Sequence, residues 1–126
     1  MKYSKMVMKH FKNPKNMGEM KNPDAVGKAG NPICGDTMKI YLKIKNDKIT
    51  DIKFQTLGCA VAIAMTSILT EMAKKKTLEE ALKIKGKDLL KNVEEVPKSK
   101  MHCSVLAQDA LKDAIKSYNK KHKTKK

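Results

Sequence analysis

Between Thr37 and Lys45 the side chains alternate, with Met38, Ile40, Leu42 and Ile44 interleaved by Lys39, Tyr41, Lys43 and Lys45. A period of two belongs to a strand with one face on a core and the other in water. Asn46-Asp47 supplies a turn, and Ile49 to Leu57 reads as a second strand with Ile52, Phe54 and Thr56 on one side. Together they predict an antiparallel hairpin. After Gly58 the period changes: Val61, Met65, Ile68, Leu69 and Met72 recur at helical spacing in an alanine-rich stretch. Thr77 followed by Glu80 matches a capping box and predicts a short helix ended by Gly86, with a further turn over Lys87 to Asn92. A last amphipathic helix runs from about Ser104 to Tyr118, with Leu106, Ala110, Leu111, Ala114, Ile115 and Tyr118 on its apolar face. Ahead of the hairpin, Ser4 to Phe11 fits a short helix with Met6, Val7, His10 and Phe11 near one face, and Asp24 to Gly27 a short extended piece. Sheet first and helices after is the order of an α+β fold: a small antiparallel sheet with helices packed on one face.

A length of 126 residues argues for a single domain over 1–126, with a lysine-rich, frayed tail from about residue 119. The three cysteines cannot all pair internally, no apolar targeting segment opens the chain, and the longest apolar-rich run, Cys59 to Met65, is too short to span a bilayer. These features point to a reducing, cytoplasmic location with no membrane partner. The formal net charge is +15, and every one of the 28 basic residues is a lysine. Readers of nucleic-acid sequence favour arginine, and single-strand binders need aromatic platforms, of which there are three Tyr, two Phe and no Trp. A solvated lysine surface is favoured over specific nucleic-acid binding. An acidic protein partner, or support for an anionic cofactor, is compatible with it.

Each cysteine has unusual surroundings for a core residue. Cys34-Gly35-Asp36 places a thiol and a carboxylate on either side of a glycine that lets them converge. Cys59 precedes a predicted helix start, where unsatisfied N–H groups and the helix dipole favour thiolate. Cys103 stands at another predicted helix start beside His102, with Lys98 and Lys100 upstream, and reads as the most nucleophilic of the three. Taken singly, each also fits a blander role: a surface turn, a small buried hydrophobe, an incidental neighbour of histidine. Jointly, three thiolates with one carboxylate or imidazole make a four-coordinate site for iron or zinc. The spacings of 25 and 44 residues match no Cys-x-x-Cys ribbon, so the site must be assembled by folding, at one end of the sheet, from loops and helix N-termini.

These residues also carry a resemblance. Gly30-Asn31-Pro32-Ile33-Cys34-Gly35-Asp36-Thr37-Met38-Lys39 resembles the first cysteine loop of the IscU-type iron–sulfur cluster assembly scaffolds, the NifU amino-terminal domain family. Thr56-Leu57-Gly58-Cys59-Ala60 resembles their second motif, and Lys100-Met101-His102-Cys103-Ser104-Val105-Leu106-Ala107, with Asp109-Ala110, the third. The resemblance runs in order from about residue 3 to residue 118. It implies a scaffold, not an enzyme, on which a transient 2Fe–2S cluster is built from Fe²⁺ and desulfurase-derived sulfur and then passed to acceptor apoproteins. It implies Cys34, Cys59 and Cys103 as ligands, completed by Asp36 or His102, with Zn²⁺ able to take the same site. It implies a cysteine desulfurase as partner, with Cys103 as sulfur acceptor and a ferredoxin-like electron donor. A homodimer would shield a labile site near the surface. The family's Leu-Pro-Pro-Val-Lys segment reads Val96-Pro97-Lys98-Ser99-Lys100 here, which puts release by a dedicated Hsp70-type chaperone in doubt. The further cysteine-containing domains of longer NifU proteins do not follow, so a stand-alone scaffold is expected. The competing reading is a zinc-binding interaction or structural module using the same cysteines. A cysteine–histidine hydrolase is disfavoured, because His102 adjoins Cys103 and no separate orienting group is evident.

Overall fold

The predicted hairpin forms the centre of the sheet. In the computed structural model, strand β2 (Asp36–Lys45) pairs antiparallel with β3 (Lys48–Leu57) through Asn46 and Asp47. Both turn residues adopt positive φ, 53° and 60°, the left-handed pair that matches strand twist in a two-residue turn. Pairing runs Ile44 to Ile49 and then Lys43 to Asp51, so Thr50 is an extra residue in β3. The structure describes residues 5–31, 36–57, 60–85, 88–89 and 102–121, without the side chains of residues 6, 7, 31, 36, 60, 102–104 and 121. The turn expected over Lys87 to Asn92 lies largely outside these residues, as does Gly86.

The extended piece expected at Asp24 to Gly27 is a full strand, β1 (Ala25–Asn31), antiparallel to β2, so the sheet has the order β1-β2-β3. Its small side chains carry little alternation, which hides a strand from a hydrophobic pattern. One face of the sheet is apolar: Ala25, Met38, Ile40, Leu42, Ile52 and Phe54 are each at most 1% exposed. The helices pack on that face. Helix α1 (Lys5–Lys12) lies on α2 (Ala60–Ala73), α2 on β3, and α4 (His102–Lys121) on β1, β2 and α2. The opposite face carries Lys28, Lys39, Lys43 and Lys53 around Tyr41.

Helix α2 departs from the single stripe its spacing suggested. Thr66, Ser67 and Thr70 are buried along with Val61, Met65, Ile68 and Leu69, because α1, α4 and β3 all pack against it. The hydroxyls are satisfied locally: Thr66 donates to the Ala62 carbonyl at 2.8 Å and Thr70 to the Ser67 carbonyl at 2.7 Å. Helix α3 (Leu78–Leu82) has the expected capping box. The Thr77 hydroxyl accepts from the Glu80 N–H at 3.1 Å, and the Glu80 carboxylate accepts from the Thr77 N–H at 3.0 Å. The helix ends at Leu82, with Lys83 as its cap, four residues before Gly86. Helix α4 buries Ala107, Ala110, Leu111, Ala114 and Ile115 and continues to Lys121, past the expected end at Tyr118. In α1 the expected face is corrected: His10 is buried, whereas Phe11 is 40% exposed.

Gly27 fixes how close α4 can come. A Cβ at this position would lie 2.1 Å from the Ala110 oxygen and 2.3 Å from the Ala114 nitrogen. The helix backbone therefore rests directly on β1, and the Asp113 carboxylate accepts from the Lys28 N–H at 2.9 Å.

Candidate metal centre

The register of the sheet decides what the cysteine motifs can share. Asn31, the last residue of β1, faces Asp36, the first of β2, and the next residue, Thr37, faces Leu57 at the end of β3. Directly opposed residues in an antiparallel pair have Cα atoms about 4.5–5.5 Å apart. The residues flanking Cys34 and the residue two before Cys59 thus converge on one end of the sheet. Helix α2 begins at Ala60, immediately after Cys59, and α4 begins at His102, with Cys103 its second residue. Both helix starts expected of the second and third cysteines are present. The contacts of α4 pin its middle, Ala110 to Ala114, on Gly27; His102 opens the helix about 12 Å further along the axis.

Cys34 and Cys59 lie outside the described residues, as do the side chains of Asp36, His102 and Cys103. Among the described residues, no group of three or more His, Cys, Asp or Glu is placed to hold a metal ion. No helix among them is long and apolar enough to cross a membrane.

At this end Leu57 is 72% exposed; Val105, in the first turn of α4, is 51% exposed. A depression of about 420 Å³ runs across the three strands, lined by Lys28, Ala29, Thr37, Met38, Lys39, Gln55, Thr56 and Leu57. Thr56 Oγ1 is buried beside it with no hydrogen-bond partner among the described residues.

A second polar constellation, which the sequence reading left without partners, ties α1 to α2. His10 Nδ1 is 2.7 Å from Ser67 Oγ, and the same oxygen accepts from the Lys15 N–H at 2.8 Å. A hydroxyl that accepts from Lys15 keeps a second lone pair and its own O–H, so it matches Nδ1 in either tautomer of the ring. Nε2 faces Glu71 Oε1 at 3.7 Å. Burial holds the imidazole below its ordinary value of 6.5, with Glu71 opposing and Lys9 and Lys15 assisting. Adjacent positions gave no signal of this network, because His10 and Ser67 are 57 residues apart in the chain.

The chain matches the family model described as NifU-like N terminal domain over residues 2–125. It is 55% identical over 120 residues to iron–sulfur cluster assembly scaffold protein IscU 1 of Archaeoglobus fulgidus, covering 95% of this chain and 78% of that one. It is 43% identical to the IscU scaffold protein of Escherichia coli strain K12, covering 99% and 100%. Among solved structures, a nitrogen-fixing NifU-like protein (N-terminal) from Brucella abortus superposes with a TM-score of 0.76 at 22% identity, covering 93% and 94%; that likeness speaks for the fold. With a model match over nearly its whole length and relatives this similar, the chain belongs to the NifU-like N-terminal domain family.

Proposed function

We infer that this chain is a scaffold protein on which an iron–sulfur cluster, of the 2Fe–2S type, is assembled and from which it is handed to acceptor proteins. One observation carries the reading. The register brings Asn31, Asp36, Thr37 and Leu57, which bracket the first two cysteine segments, to one end of the sheet, and α2 begins three residues after Leu57. Relatives named as cluster assembly scaffolds agree with it. The ligands are Cys34, Cys59 and Cys103, with Asp36 or His102 as the fourth. The odd thiol count suits a reducing compartment.

The chemistry is transfer without turnover. The Cys103 thiolate attacks the outer sulfur of a persulfide on a cysteine desulfurase. A new S–S bond forms to Cys103, the old one breaks, and the desulfurase cysteine departs as thiolate. Two electrons from an external donor such as a ferredoxin reduce the transferred sulfur to sulfide and free the Cys103 thiolate. Fe²⁺ enters through the remaining thiolates and Asp36. A carboxylate is a hard oxygen donor, poorly matched to a cluster compared with thiolate, so Asp36 favours release over storage.

Anaerobic reconstitution with desulfurase, cysteine, Fe²⁺ and reductant tests this reading. Visible absorption and Mössbauer spectra are expected to show a 2Fe–2S cluster. Cys103→Ser is expected to lose persulfide acceptance by mass spectrometry while its circular dichroism is unchanged, and Asp36→Ala to retain its cluster longer under chelator. Tight Zn²⁺ binding with no cluster formed would give the site to a structural module instead.

A further inference from the structure

The depression at the site end of the sheet has its own chemistry. Lys28, Lys39 and Gln55 lie side by side across the three strands, and Thr37 and Leu57 form the next row toward the cysteine segments. Lys28, Thr37, Gln55 and Leu57 are exposed. One row further in, Tyr41 is only 5% exposed, its hydroxyl bonded to Gln55 Oε1 and its ring under Lys39 Nζ at 5.0 Å. No carboxylate is among the described residues lining the depression. The Asp113 carboxylate accepts from the Lys28 backbone N–H, and Asp51 pairs with Lys74 at 3.7 Å further along the sheet.

We propose that this depression docks an acidic partner protein through a segment carrying one large apolar side chain flanked by carboxylates. The apolar side chain packs against Leu57 and the aliphatic stems of the lysines, and the carboxylates meet the Lys28 and Lys39 ammonium groups. Charge complementarity selects the occupant, since the depression is lined by two cations and no described carboxylate and so disfavours a basic segment. A nucleic acid fits less well. The aromatic ring in this part of the sheet is covered by Lys39 and Gln55, and the chain has no arginine fork. A bilayer surface also fits less well, because a single leucine beside a depression gives nothing to insert. Position beside the Cys59 segment makes the partner one that acts during cluster building or export. That assignment rests on the scaffold reading; the binding itself does not.

The test uses the full chain and a short blocked peptide of glutamates flanking one leucine, with a serine-for-leucine peptide as control. Amide shifts in NMR titration are expected to centre on Lys28, Lys39, Gln55 and Leu57. By fluorescence anisotropy, Lys28→Glu with Lys39→Glu is expected to weaken binding about tenfold, and Leu57→Ser about fivefold. Lys112→Glu with Lys116→Glu, the same charge change on the exposed side of α4, is expected to stay within about twofold. Equal binding of the serine peptide, equal loss from the α4 pair, or preference for oligo-dT or for phosphatidylglycerol vesicles over the leucine peptide would each overturn the proposal. Peptide binding lost with cluster assembly intact counts against this surface alone; the reverse counts against the scaffold reading alone.

Discussion

At the hairpin end of the sheet, Lys48 bridges to Thr77, and Ile49 donates to the Lys76 carbonyl while accepting from the Lys75 N–H, both at 2.8 Å. Leu78 donates to the Asp47 carbonyl at 2.9 Å, and the Asp24 carboxylate accepts from the Ile44 N–H at 2.8 Å. At the opposite end, where Thr37 faces Leu57, the described residues include an exposed leucine, an unpartnered hydroxyl and an open depression. Among the described residues these backbone links gather at the hairpin end, with Phe54 tied to Asn16 and Gly18 nearer the middle of the sheet. At the other end, Leu57 and the depression are open to solvent. Between the two, α4 on Gly27 and the His10 network hold the layers together.

Four changes break or sharpen this contrast. Gly27→Ala is expected to cost the most, about 3 kcal/mol or more in chemical denaturation, because its Cβ meets helix backbone that cannot rotate away. Next is pH. His10 has a folded value below 6.5, so the neutral form belongs to the native state, and its contribution is complete above 6.5 and lost as pH falls through the depressed value. The denaturation midpoint is expected to drop over that window, and His10→Asn to flatten it. Glu80, also lowered by its bonds to Thr77, acts at lower pH, below its ordinary 4.5, and leaves the histidine window separable. Thr77→Ala, at the cross-linked end, is expected to cost about 1 kcal/mol through the lost cap without altering cluster lifetime. Thr56→Val, at the open end, is expected to be within about 0.5 kcal/mol of neutral or stabilising, since it removes a buried hydroxyl that has no partner among the described residues. A loss above 1 kcal/mol in the same titration would show that the hydroxyl is bonded.

Local signals made much of this legible. Alternation from Met38 to Ile44 marks the strand because one face is buried, and Thr77 with Glu80 marks a helix start because both bonds are local. The low-contrast run Ala25-Val26-Gly27-Lys28-Ala29 concealed β1, whose role is to let a helix approach rather than to fill space. Phe11 was misplaced because a helical face at a chain end is defined by what packs on it, and here that is α2. For the candidate site, ligand types and helix starts could be read from neighbours in the chain. The convergence of Asp36, Thr37 and Leu57 could not, because it depends on register. Neither the partner of His10 nor the depression had any local marker.

Thr50 shows how far register reaches. As the unmatched residue of β3, it sets the phase with which every later position of that strand meets β2, up to Leu57 opposite Thr37, about 20 Å away. Were Thr50 paired with Lys43 instead of left unmatched, the distal segment would slide by one step, its buried side chains would turn outward, and a different neighbour would meet the cysteine loops. The tip of the hairpin, which touches nothing reactive, thus acts as the alignment mark for the reactive end.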